Sequence, residues 1–153
     1  MTTTTATRYL APTGFDPIFS RIANLLPKLG ISLAGSRLLA VRGRKSGEWR
    51  TTMVNLMTAA DGQRYLVAPR GHTQWVRNLR VAGTGELRLG RRTEEFAAVE
   101  IADADKVPLL RLYLERWGWE VGRFFEGITK DSTDAELAQI APGFPVFRIE
   151  RAN

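Results

Sequence analysis

The chain has 153 residues, 44% hydrophobic and 25% charged, with 14 Gly and 7 Pro. This composition suits one globular domain with its own core and excludes a disordered, collagenous or coiled-coil polypeptide. There is no Cys and a single His, His72, which removes disulfides, thiolate metal sites, cysteine nucleophiles and any centre that needs two imidazoles. No metal is expected, and the lack of Cys fits a reducing cytoplasm. The net charge of +6 is uneven: between Arg37 and Arg92 there are 12 basic and 3 acidic residues, a charge of +9, which leaves −3 for the rest of the chain. Of the 22 basic residues 18 are Arg, whose planar fork suits phosphates and carboxylates, so the partner is an anion, either a nucleic acid or a multiply charged small molecule.

The Thr-rich opening, residues 1–14, lacks the apolar centre of a signal peptide and reads as a flexible arm, and residues 15–153 as a single domain. No stretch reaches the ~18–20 consecutive apolar residues of a membrane span. Asp16-Pro17 forms a cap and first-position pair for an amphipathic helix carrying Ile18, Phe19, Ile22, Leu25, Leu26 and Leu29, which stops between Pro27 and Gly30. That stripe packs on the domain or, with Arg21 and Lys28 beside it, gives residues 1–29 a peripheral contact with the inner face of a membrane.

From Ser36 the pattern turns to short strands: Arg37–Arg42, Arg50–Met57, Arg64–Ala68, Glu86–Leu89, Glu94–Ile101 and Pro145–Glu150. Turns at Gly43–Gly47 and Ala60-Asp61-Gly62 imply antiparallel hairpins. A short helix is predicted over His72–Val81, and a second from Asp105 through Val107, Leu110, Leu114 and Trp117, broken at Gly118 and Gly122. The product is an α+β domain, a small antiparallel β-barrel flanked by helices, because closure removes exposed edges.

Gly43-Arg44-Lys45-Ser46-Gly47 is the sharpest local feature: two cations, a hydroxyl and amides freed by glycines form an anion-binding nest, or else an exposed basic hairpin. Thr51, Thr52, Asn55 and Arg70 can converge on one barrel rim around a second anionic group. His72 is a ligand donor, a helix cap or a surface residue. Trp75, on the same predicted helix as Asn78 and Leu79, is a core anchor or a ring at the site. Trp117, Trp119, Phe124 and Phe125 crowd into nine residues, as core or as the wall of a pocket for a planar ring.

The run Gly43-Arg44-Lys45-Ser46-Gly47-Glu48-Trp49-Arg50-Thr51-Thr52 resembles the G-R-K-[ST]-G-x-x-R-x-[TN] signature of the actinobacterial deazaflavin-dependent nitroreductase family, which includes quinone reductases. The likeness continues through Tyr65–Gly71, Trp75–Arg80 and Phe144–Phe147. It implies a split β-barrel of the flavin-reductase and pyridoxamine-phosphate-oxidase type. It further implies an enzyme that passes a hydride from reduced coenzyme F420 to a planar electron-poor acceptor: a quinone, an α,β-unsaturated lactone or enone, or a nitroaromatic xenobiotic. By position the resemblance assigns the coenzyme's phosphate to Lys45 and Arg50, with Arg44, Ser46, Thr51, Thr52, Asn55 and Asn78 nearby. Ala68, Pro69, Arg70 and Gly71 take a further contact, with Pro69 standing where the family has Ser, and Trp75 flanks the ring. Tyr113, Trp117, Trp119, Phe124 and Phe125 are the candidates for the acceptor pocket. The coenzyme's phosphodiester and polyglutamate tail match the +9 segment. The alternatives are an FMN-dependent oxidoreductase of the same barrel, a non-catalytic carrier of a hydrophobic ligand, and a nucleic-acid binder, for which no motif is present. No obligate protein partner is evident.

Overall fold

The computed structural model describes residues 35–121, 125 and 127–152. The expected arm, the first amphipathic helix and Phe124 fall outside this range. Six strands, β1 (Ser36–Arg42), β2 (Trp49–Thr58), β3 (Arg64–Val67), β4 (Thr84–Leu89), β5 (Arg92–Glu100) and β6 (Val146–Arg151), close into an antiparallel barrel. They run round it in the order β1-β2-β3-β6-β5-β4. Three consecutive strands make a meander and β4–β5 pairs back onto β1 through Leu38↔Arg88 to Ala40↔Glu86. The gap left between β3 and β5 is filled by the C-terminal strand, with Leu66↔Phe147 on one side and Ala98↔Ile149 on the other.

Helix α1 (Gln74–Ala82) links β3 to β4, and α2 (Val107–Val121) and α3 (Asp134–Ile140) lie between β5 and β6. Alternation along the strands sorts the apolar residues into two cores. Leu39, Val54, Leu66, Leu87, Phe96, Phe147 and Ile149 fill the barrel, and Val76 and Leu79 of α1 pack against them. Met57, Val67 and Val146 point outward into a second core built by Leu110, Tyr113, Leu114 and Trp117 of α2 and Leu137 of α3. Because β3 is covered on both faces, it reads as an apolar run rather than as an alternation. Each fully buried Leu or Phe contributes about 1.5–3 kcal/mol of transfer free energy.

The far end of the barrel is closed by charge. Arg64 of β3 donates two hydrogen bonds to Glu94 of β5, at 2.8 and 2.5 Å, and Arg151 of β6 adds a third at 3.3 Å. The bonded guanidinium holds the Glu94 carboxyl below its ordinary pKa.

The expected strands are all present, with ends displaced by a residue or two. One expectation is corrected and one element is added. The second helix runs on through Gly118 to Val121, since a single Gly weakens a helix without ending it when the apolar stripe continues. Helix α3 was not foreseen, although Thr133-Asp134-Ala135-Glu136 spells its start: the Thr133 side chain accepts from the Glu136 amide and the Glu136 carboxylate from the Thr133 amide.

Candidate functional site

The β1–β2 turn and the β3–α1 loop leave the barrel at the same end, because successive antiparallel strands alternate direction. Arg44 joins them. Its backbone amide and Nη1 both donate to Asn78 Oδ1, at 3.1 and 2.8 Å, and Nη1 also reaches Gln74 Oε1 at 2.9 Å. Asn78 is buried on α1. The basic turn is therefore docked on a helix rather than waving in solvent.

Docking and turn closure engage four amides in and beside the expected nest, and no bond is recorded for those of Lys45 and Ser46. The Gly43 amide donates to Glu48 O, Gly47 to Gly43 O, Arg44 to Asn78 and Glu48 to Ser46 Oγ. A methyl group on Gly43 would stand 3.0 Å from Ser46 Oγ and 3.6 Å from Arg50 Cγ, so the missing side chain makes room for both.

Among the described residues, no carboxylate lies within ion-pair distance of Arg42, Arg44, Lys45 or Arg77. Arg50 has only Glu48 at 3.8 Å, both side chains well exposed, a pair worth little in water. By contrast Arg64, Arg80 and Arg88 are held by Glu94, Glu100 and Glu86 at 2.5–2.7 Å. Three cations of the barrel wall are thus paired closely, whereas those of the β1–β2 turn have no close carboxylate among the described residues. Trp49, paired with Arg42 across the hairpin, carries that guanidinium 4.1 Å from its ring centre.

The four strand and loop residues expected on one rim do not share it. Val54 and Leu56 face the barrel interior, so Arg50 and Thr52 belong to the inward row and Thr51, Met53 and Asn55 to the outward row. Thr51 is exposed and Met53 and Asn55 are half-buried, with Asn55 Oδ1 accepting from Ser36 Oγ at 3.3 Å. Met53 was not singled out in the sequence, although a period of two from Thr51 to Asn55 passes through it.

On the β3–α1 loop, Ala68 and Gly71 are buried and Pro69 and Arg70 half-buried. Gly71 takes φ +89, a left-handed conformation that glycine adopts freely. His72 is buried, not a surface residue, and contacts Pro142 O and Arg80. Trp75 is half-buried, its ring tilted against Phe147 at 5.9 Å.

The expected aromatic wall resolves differently. Tyr113, Trp117 and Phe125 are 2–4% exposed, inside the outer core. Tyr113 lies 5.2 Å from Trp117 and 6.4 Å from Phe125, which stacks on Phe144 at 4.2 Å. Those rings are engaged in packing, since apolar residues at helical spacing serve core and pocket alike. The Trp119 side chain is outside the described residues. Among those described, no cluster of His, Cys, Asp or Glu could hold a metal ion, and no helix is long and apolar enough to cross a membrane.

Solved structures share this architecture. A protein of unknown function from Agrobacterium tumefaciens matches with a TM-score of 0.58 and 17% identity over 94% of this chain, which spans 58% of that protein's length. A conserved hypothetical protein from Mycobacterium tuberculosis gives 0.53 and 18%, over 86% of this chain and 80% of that one. An F420-H2 dependent reductase gives 0.51 and 19%, over 76% and 94%. The fold is a split β-barrel of the flavin-reductase type. No curated protein matches the sequence. The profile of the F420H(2)-dependent quinone reductase family matches residues 20–120, and the chain belongs to that family. It is an F420-dependent reductase, with reduced F420 as its cofactor. An anionic cofactor requires cations not already neutralised, and Arg42, Arg44 and Lys45, with no carboxylate partner among the described residues, are of that kind.

Proposed function

We propose that the β1–β2 turn holds the phosphate and tail of reduced F420, and that the deazaflavin ring lies on the outward face of β2 beside the β3–α1 loop. The observation that carries this reading is the set of cations with no carboxylate partner among the described residues, Arg42, Arg44 and Lys45, with Arg50 only loosely paired to Glu48, on a turn fastened by Arg44 and Asn78. The barrel interior is filled by Leu39, Val54, Leu87, Phe96 and Phe147, so a tricyclic ring has no room inside.

Lys45 and Arg50 bind phosphate through charge-assisted hydrogen bonds, and the Ser46 hydroxyl, which already accepts from Glu48, has its proton to donate. Thr51, Met53 and Asn55 form the floor under the ring. Pro69, Arg70 and the Gly71 backbone border it, with Ala68 beneath, and Trp75 backs that loop. Thr52, on the inward row beside Arg50, supports the phosphate side.

When bound, the reduced coenzyme supplies the hydride. The chain's own work is to fix the ring's orientation, to cover one of its faces and to keep water from it, which requires no nucleophile or metal of its own. The open face receives a flat acceptor with an electron-poor conjugated system, of the quinone, enone, unsaturated lactone or nitroaromatic classes.

Titration of the purified chain with F420 and with FMN, followed by optical assay of reduced-F420 oxidation on adding menadione, tests the proposal. Saturable F420 binding and menadione-dependent turnover are expected. Tight FMN binding with none of F420 would overturn it, and coenzyme binding without turnover on any acceptor class would leave a carrier instead of an enzyme.

A further inference from the structure

Beyond the turn, the only imidazole in the chain is buried and has a polar neighbour at each ring nitrogen. His72 Nδ1 lies 2.9 Å from Arg80 Nη1, and His72 Nε2 lies 3.1 Å from Pro142 O. A guanidinium only donates and a carbonyl only accepts, so Nδ1 is bare, Nε2 carries the proton and the ring is neutral. Arg80 is itself fixed, its Nε and Nη2 donating to Glu100 at 2.8 and 2.6 Å. Burial is the main influence that depresses the His72 pKa below its ordinary 6.5.

The same imidazole belongs to the loop on which Arg70 and Gly71 sit. That loop is held by its backbone at the ends: Ala68 N–H donates to Pro145 O, Gly71 N–H to Ala68 O and Thr73 N–H to Gly71 O. His72, next to Gly71 near the helix end of the loop, ties it sideways to the segment before β6 and, through Arg80 and Glu100, to the end of β5. The segment before β6 is also gripped by Lys106, 2% exposed, whose Nζ donates to Ala141 O at 3.0 Å and pairs with Asp103 at 2.7 Å. The charged groups facing His72 are therefore Arg80 from α1, Glu100 from β5 and Lys106 from the turn before α2. A proton added at Nδ1 would point at the Arg80 guanidinium and break the tie.

We propose that neutral His72 is a positioning residue for the coenzyme, holding Arg70 and Gly71 where they meet it and releasing them on protonation. The inference rests on the reading of the β3–α1 loop as part of the coenzyme site. It concerns affinity for the coenzyme and not the hydride step, because His72 touches neither coenzyme nor acceptor.

The test is steady-state kinetics of the full chain, varying reduced F420 at saturating menadione between about pH 8 and pH 5, with His72→Gln, His72→Phe and Arg70→Ala alongside. Gln keeps an amide donor for Pro142 and an oxygen to accept from Arg80, whereas Phe keeps the ring volume and has neither polar group. For the wild type, KM for the coenzyme should rise as pH falls below 6.5 while kcat changes much less. H72Q should keep the low KM and lose that rise, and H72F should show a KM raised about tenfold across the range, the size of effect that one charge-assisted hydrogen bond to the coenzyme accounts for. A folded H72F with wild-type KM, or an H72Q with the pH-dependent rise intact, would overturn the inference. If H72F does not fold, the H72Q profile decides. If R70A raises KM while the His72 variants leave it unchanged, the positioning role alone fails. If R70A leaves KM unchanged while Lys45→Ala raises it, the coenzyme is not at this loop and both readings fail.

Discussion

Asn78 Oδ1 accepts two hydrogen bonds from one residue, the amide and the guanidinium of Arg44, from 34 positions earlier in the chain. Because the acceptor is buried and serves two donors, one of them charged, Asn78→Ala should cost about 1–3 kcal/mol of stability and also weaken coenzyme binding by freeing the turn. Gln74→Ala removes a single exposed partner and should stay within about 0.5 kcal/mol of wild type. Urea denaturation with and without coenzyme measures both effects. An N78A variant as stable as the parent would mean that the turn is not anchored through this oxygen.

Lys45 and Arg50 are exposed, so their removal should spare the fold and act on the ligand. Lys45→Ala and Arg50→Ala are each expected to weaken F420 binding by roughly 1.5–3 kcal/mol, with the loss shrinking as salt is raised. Calorimetric titration at two ionic strengths is the measurement. Wild-type affinity in both variants would move the phosphate elsewhere.

The strands were readable because each is a short apolar or alternating run and because Asp61-Gly62 and the glycines at 43 and 47 mark the turns. What joins the site together was not. The Arg44–Asn78 bond links the first hairpin to a helix two elements later, and no spacing rule connects those positions. The nest is narrowed for a related reason: glycines free a turn's amides only until the turn closes on itself, as Gly43 and Glu48 do here at 2.7 Å, which takes the Gly43 amide out of the set. The aromatic cluster of α2 was ambiguous in principle, since Tyr113 and Trp117 at a spacing of four describe equally a core stripe and a pocket wall. Helix α3 was legible in its capping box and was overlooked because only seven residues follow it.

Two glycines respond oppositely to the same change. At Gly85 an added Cβ would stand 2.8 Å from the Phe96 ring and 2.9 Å from the Ala40 carbonyl, at the point where β4 leans on β1 and Phe96 fills the barrel. Gly85→Ala should destabilise by about 1–3 kcal/mol through forced repacking. Gly118, in the middle of α2 with nothing within 4 Å of its missing Cβ, has room for a methyl group, and Gly118→Ala should stabilise by about 0.5–1 kcal/mol. Thermal melts of the two variants would show shifts of opposite sign. A destabilised G118A would mean that α2 bends at this residue instead of running straight through it.

Stability should fall in two stages as the solution is acidified. His72 has a folded-state pKa depressed below 6.5 chiefly by burial, so its neutral form favours the fold above that pH, and the benefit is lost as pH drops from there through the folded value. Glu94 has its pKa lowered below 4.5, first by its hydrogen bond with Arg64, so its contribution persists through the first stage and disappears only in stronger acid. The two groups lie at opposite ends of the barrel, which makes the stages separable. His72→Gln should flatten the first and leave the second, and Glu94→Gln the reverse, with Glu94→Gln also lowering stability at neutral pH because Arg64 and Arg151 lose their shared carboxylate. Denaturant midpoints measured every half unit between about pH 8 and pH 3 resolve this. A single acid transition, unchanged in H72Q, would show that the imidazole carries its proton in the fold and that the bond from Arg80 is not made.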